Sequence, residues 1–257
     1  MSLPPPSEHF QGKSVTEHLL EARQKGAFAK AEVHGIEMPG HLSAGADAAK
    51  ETSIALVFLW VLCSYFLSSK EQIFIFLCFF SMAFLLWKAG RSALLGWSRL
   101  ERLHRLIEEE RWEIQHHRDQ EREELKELYQ LKGFSGKLLD DVVDVLMSDD
   151  NRLLKVMLEE ELNLSLESFE HPLKQSFGAA VGVVISAILN LAAYWIFSSF
   201  GLLILATLIL LVGAFVSARL EKNVVVPTLI WHLSLFALCA GLLHFSLSLL
   251  FSSGGPS

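Results

Sequence analysis

Four glutamates, Glu110, Glu113, Glu121 and Glu124, have a spacing that an α-helix turns into a single acidic stripe. At about 100° per residue they fall within an arc of roughly 80°, and His117 lies inside that arc between the two pairs. A solvated, salt-bridged helix surface would place Lys or Arg four residues after each Glu. Those positions hold Ile114, His117, Leu125 and Leu128, and the only Lys or Arg three or four residues earlier is Arg118, ahead of Glu121. The stripe is therefore largely uncompensated. Crowded like charges destabilise a helix face unless something positive arrives, and clustered carboxylate oxygens suit hard or borderline divalent ions such as Mn²⁺ and Fe²⁺. His117 is either a supporting ligand or a polar surface residue.

The rest of the chain points to a bilayer as the setting of this chemistry. Hydrophobic residues make up 51% and the formal net charge is −7, which argues against both a disordered chain and a nucleic-acid binder. The apolar residues are concentrated in blocks of membrane-spanning length, over 52–69, 73–97, 177–197, 201–218 and 224–251. Five spans follow, and the first two form a hairpin around Lys70. Lys88 and Arg91 are expected to mark the membrane exit of the second span, where long basic side chains reach the interface. Cys63, Cys78 and Cys239 all lie within spans, where burial favours inert thiols over a disulfide or a soft-metal site. Residues 1–10 have no apolar core and do not read as a cleaved signal.

Basic residues cluster before 52, in 98–176 and in the turn at 219–223, so the positive-inside rule puts these segments and the N-terminus in the cytosol. The C-terminus then lies outside or in a lumen. The expected organisation is a cytoplasmic segment over 1–50, two spans over 51–97, a cytosolic module over 98–174, three spans over 175–251 and a tail over 252–257.

Within the module, residues 88–132 contain no proline, and their only glycines, Gly90 and Gly96, lie near the membrane exit. The second span is thus expected to run on as one rod until Gly133. Ser135 can cap a second helix with Leu138, Leu139, Val142, Val143, Val145 and Leu146 on its apolar face, and a third begins near Ser148 to Asp150. A short amphipathic helix over 15–30 is also expected.

The run from Glu121 to Tyr129, then Leu131-Lys-Gly-Phe134, Val142-Val-Asp-Val-Leu-Met147 and Val156-Met-Leu-Glu-Glu-Glu-Leu162, resembles the vacuolar iron transporter family. The resemblance extends from about Arg102 to Leu250 and includes Leu211-Val-Gly-Ala214 in the fourth span. It implies an all-α membrane protein with five transmembrane helices and a three-helix cytosolic metal-binding module inserted between the second and third. It further implies export of Fe²⁺ or Mn²⁺ from the cytosol by proton exchange, a homodimer, and no enzymatic activity. Carried over by residue, the implied metal ligands are Glu110, Glu113, Glu121, Glu124, Met157 and Glu161, with Leu158 standing at the family's second thioether position.

The first two spans depart from the family. Its Asp-Gly pair in the first span is missing, the nearest acid being Glu51, and Ser81-Met82 is followed by Ala83 and Phe84 where a Gly-Glu sequence is expected. The oxygen, nitrogen and sulfur groups left for an ion path are Ser64, Ser81, Met82, Asn190, His232 and His244, with Glu51 at the mouth. Two other functions therefore stand beside transport. One is a membrane-tethered metal buffer or sensor whose altered spans no longer conduct. The other is a di-iron oxidase built on Glu113-Ile-Gln-His116, which would need a second such motif on a facing helix and a His116 that does not point away from the stripe.

Overall fold

The computed structural model describes residues 40–161 and 171–252, together with 14, 15, 17, 19–21, 23 and 24. Most of the N-terminal segment, including much of the helix expected over 15–30, residues 162–170 and the tail after Ser252 lie outside the described residues. Among the described residues seven helices follow one another from His41 onward: α1 (His41–Phe66), α2 (Lys70–His116), α3 (Arg118–Leu131), α4 (Gly136–Met147), α5 (Asp150–Glu160), α6 (Pro172–Leu220) and α7 (Val225–Ser252). The chain divides into two compact units, one of 37–96 with 170–257 and one of 97–169 with residues of the N-terminal segment.

In the first unit, α1, α2, α6 and α7 are each long and apolar enough to cross a membrane. Their outward faces carry large apolar side chains such as Phe79, Leu86, Trp87, Ile188, Phe200 and Trp231, all more than half exposed. Water would not tolerate so continuous an apolar surface, whereas a bilayer requires it. Inward, Leu56, Leu77, Tyr194, Leu202 and Phe236 form a buried core.

Three features differ from the sequence expectation. The first apolar helix begins at His41 rather than at residue 52, so Asp47, Lys50 and Glu51 are helical. The five apolar blocks lie on four helices, because the blocks at 177–197 and 201–218 share α6. Inside α6 the backbone leaves helical geometry at Ser198 (φ 60°, ψ −147°), dividing it into two limbs. The expected rod to Gly133 is interrupted at His117 (φ −126°, ψ 35°), with α3 starting afresh one residue later.

The ends of α6 are chemically specified. Pro172 sits in its first turn, where a missing amide costs little, and His171 Nδ1 caps the Leu173 N–H at 3.2 Å. At its C-terminus Lys222 adopts φ 57°, and the Asn223 N–H reaches the Ala218 carbonyl at 2.9 Å, closing the helix in Schellman fashion. The small residues of the third apolar block serve packing within the chain. A Cβ on Gly178 would lie 2.1 Å from the His41 carbonyl oxygen, and one on Gly182 would lie 2.1 Å from that of Gly45. These glycines let α1 and α6 meet backbone to backbone.

In the second unit, Leu103 and Ile114 of α2, Leu125 and Leu128 of α3, Leu139, Val143 and Met147 of α4, and Leu153, Leu154, Met157 and Leu158 of α5 make one core. Leu138 and Val145, expected on the apolar face of α4, are exposed instead, because helical spacing turns them away from Leu139 and Val143. Leu19 is buried in the same core and Val15 packs against it. Ser14 and Glu17 form a reciprocal cap ahead of them: the Ser14 N–H donates to Glu17 Oε2 at 3.0 Å, and the Glu17 N–H to Ser14 Oγ at 3.3 Å. Asp149 caps α5 by accepting from the Arg152 N–H at 2.8 Å.

Candidate metal centre

Two helix ends supply the acidic stripe. Glu110 and Glu113 lie in the last turns of α2, and Glu121 and Glu124 in the first turns of α3. His117 joins them, its N–H donating to the Glu113 carbonyl at 2.7 Å and its own carbonyl accepting from the Gln120 and Glu121 N–H groups at 2.9 and 3.1 Å. The stripe is not a solvated surface. Glu121 and Glu124 are fully buried, Glu110 is 4% exposed and Glu113 is half-buried. Helical spacing explains why: Glu121 and Glu124 share a face with Leu125 and Leu128, which the core requires to point inward.

The bases of α3 face another way. Arg118, Lys126 and the intervening Arg122 follow at four-residue intervals, and each meets an aspartate of α4 or α5. Arg118 Nη1 is 2.6 Å from Asp150 Oδ1, Arg122 is paired with Asp144, and Lys126 Nζ is 2.8 Å from Asp140 Oδ1. Arg118, the one base at helical spacing from the stripe, therefore serves Asp150 and the Met147 carbonyl instead.

Burial and proximity dominate the electrostatics of Glu121. Glu121 is pushed from 4.5 up to about 10, first by loss of water and then by the charges of Glu110, Glu124 and Glu113. At neutral pH Glu121 is thus a protonated acid, and the cluster holds a proton that a divalent cation would displace. Glu110, Glu113 and Glu124 thus each lie within electrostatic reach of Glu121.

Met157 and Glu161 lie one turn apart at the end of α5, with the Glu161 N–H donating to the Met157 carbonyl at 2.9 Å. Met157 is buried in the same core cluster as Leu125 and Leu128, and Glu161 is 2% exposed. Among the described residues, no three His, Cys, Asp or Glu side chains stand close enough to cage an ion as they are placed. Coordination would therefore require these side chains to draw in around the ion. His116 is exposed and stacks on Trp112 with centroids 4.5 Å apart, away from the stripe.

One oxygen had no sequence signal. Gln120 Oε1, one residue before Glu121, is buried and accepts no hydrogen bond from a described residue. In the apolar helices, Ser64 and Ser81 donate to the Val61 and Leu77 carbonyls of their own helices, and His232 Nδ1 lies 2.8 Å from the Thr228 carbonyl. His244 Nδ1 lies 3.1 Å from the Tyr65 hydroxyl, and Met82 is exposed on the outer face. Only Asn190 of that group is buried among side-chain hydroxyls, those of Ser53 and Ser186.

Membrane-length helices, together with a helical unit with a buried acidic cluster, define an integral membrane protein. The VIT family model matches residues 97–248, more than half of the chain, and the chain belongs to that family. Its members are membrane metal-ion transporters rather than enzymes. No curated protein matches the chain.

Proposed function

We propose that this protein exports Fe²⁺ or Mn²⁺ from the cytosol in exchange for protons, with the unit of 97–169 as its cytosolic collector. Glu110, Glu113, Glu121, Glu124, Met157 and Glu161 bind the ion there. The observation that carries the reading is the buried carboxylate cluster, in which loss of water and neighbouring like charges favour the protonated form of Glu121. Bringing four acids together, three of them away from water, lowers stability unless a cation offsets it, and a divalent ion does so while releasing the proton. Carboxylate oxygens accept iron and manganese alike, and the Met157 thioether adds softer character.

In this reading α6 crosses the bilayer twice, turning at Ser198, which makes five spans with the N-terminus cytosolic and the C-terminus outside or luminal. The protein acts as a homodimer. Proteoliposomes holding the full-length chain test the exchange: Mn²⁺ uptake should rise when protons are supplied on the opposite side, and uptake indifferent to the gradient would refute it. A second reading, a membrane-tethered metal buffer or sensor, is favoured by one observation, the neutralisation of both acids of α1 by lysines. Metal binding by the full chain with no flux under any gradient would establish it.

A further inference from the structure

The only carboxylates of α1, Asp47 and Glu51, lie one helical turn apart at the end that precedes its apolar run. Each is held by a lysine. Lys50 Nζ is 2.7 Å from Asp47 Oδ1 and donates to Ser217 Oγ at 2.8 Å, and Ser217 Oγ in turn donates to Asp47 Oδ1 at 3.3 Å. Lys88 Nζ, from α2, is 2.8 Å from Glu51 Oε2. The lysines are the interior partners: Lys50 is 7% and Lys88 1% exposed, whereas the Glu51 side chain is 51% exposed.

Two further observations show that this place is built around a cation. The second limb of α6 makes room for the lysine stem at Gly213, where a Cβ would come within 2.5 Å of Lys50 Cγ. One turn beyond Lys50, Ser53 Oγ lies 2.8 Å from Ser186 Oγ and accepts from Asn190 Nδ2 at 3.1 Å. Asn190 Nδ2 also donates to the Ser186 carbonyl at 2.8 Å. That carbonyl can only accept, so the amide orientation is fixed. Asn190 Oδ1 is consequently buried and accepts no hydrogen bond from any described residue. An oxygen in that condition is a strong acceptor for a cation or its water.

We propose that Lys50 and Lys88 are tethered counter-cations that occupy the carboxylates of the first span, so that a divalent ion reaches the Ser53, Ser186 and Asn190 oxygens only by displacing the Lys50 ammonium from Asp47. An ion approaching Asp47 meets a carboxylate whose charge is already neutralised from within, which makes Lys50 a residue that sets the threshold for cation passage. The proposal deepens the transport reading and rests on it for flux, while its binding consequence stands alone.

The test uses full-length protein in detergent carrying Glu110→Gln, Glu113→Gln, Glu121→Gln and Glu124→Gln, with bound Mn²⁺ read from the loss of the free-ion electron paramagnetic resonance signal. In this background Lys50→Met should tighten Mn²⁺ binding at least about tenfold, which is about 1.4 kcal/mol. Asp47→Asn added to it should abolish the gain, and Lys50→Arg, which keeps the cation, should give none. Lys50→Gln, which retains a donor toward Ser217, carries the same test if Lys50→Met does not fold. Unchanged affinity in the neutral variants, a gain that survives Asp47→Asn, or failure of both neutral variants to give monodisperse protein would overturn the proposal. Tighter binding without flux in any variant would instead count against the transport reading and leave the lysine's role standing.

Discussion

Raising the pH should loosen the metal-free acidic unit, a direction opposite to that of most carboxylate-containing proteins. Folding lifts Glu121 from 4.5 to about 10. The folded state therefore binds a proton that the opened state releases throughout that window. Its stabilising contribution is complete below the opened-state value and disappears as the pH climbs toward the folded one. One proton per opening gives at most about a tenfold fall in protection per pH unit, so about a hundredfold, or about 3 kcal/mol, from about pH 5.5 to about pH 7.5. Hydrogen exchange of peptides from α3 and α5 in the full-length protein, divided by the intrinsic exchange rate at each pH, measures this directly. Glu121→Gln imitates the protonated acid and should flatten the slope while raising protection at the higher pH. Saturating Mn²⁺ should do the same by substituting its charge for the proton. Protection that stays level or rises with pH in the metal-free protein would refute the placement of a proton on the buried cluster.

Other perturbations follow from the same geometry. Titrating Mn²⁺ into weakly buffered protein near neutral pH should release about one proton per ion bound, read by a pH indicator, and Glu121→Gln should abolish the release. Gly182→Ala should destabilise by about 1–3 kcal/mol, because its Cβ would lie 2.1 Å from the Gly45 carbonyl oxygen. Gly241→Ala, with no atom within 4 Å of the new Cβ, should be neutral or stabilising in the same thermal melt followed by size-exclusion chromatography. Ser198→Gly should raise thermal stability by about 1 kcal/mol, since φ 60° with ψ −147° is a region only glycine adopts without strain.

The positions of the acids were legible because helical spacing is a property of sequence, and so was the absence of compensating bases. Their burial was not. It depends on Leu125 and Leu128 turning the same face of α3 into a core whose other walls are α4 and α5, and on the pairing of Arg118, Arg122 and Lys126 with aspartates many residues away. The break at His117 left no mark either, for neither proline nor glycine stands there. The start of α1 was hidden for a different reason. Asp47, Lys50 and Glu51 look like an aqueous flank until Lys88 and Ser217 supply partners from helices distant in sequence. By contrast, Gly133 and Asp149 act locally, at φ 94° and at the N-cap of α5, and local chemistry is what a sequence displays best; Ser135 stands at the N-cap position of α4 without a side-chain capping bond.

Flux of Mn²⁺ and Fe²⁺ into proteoliposomes, compared between the full-length protein and a variant with Gln at 110, 113, 121 and 124, tests the central claim most directly. The account predicts flux in the first and a loss of at least about tenfold at low ion concentration in the second, with both proteins incorporated equally. Equal flux from the two would contradict it, because the buried carboxylates would then have no part in delivering the ion.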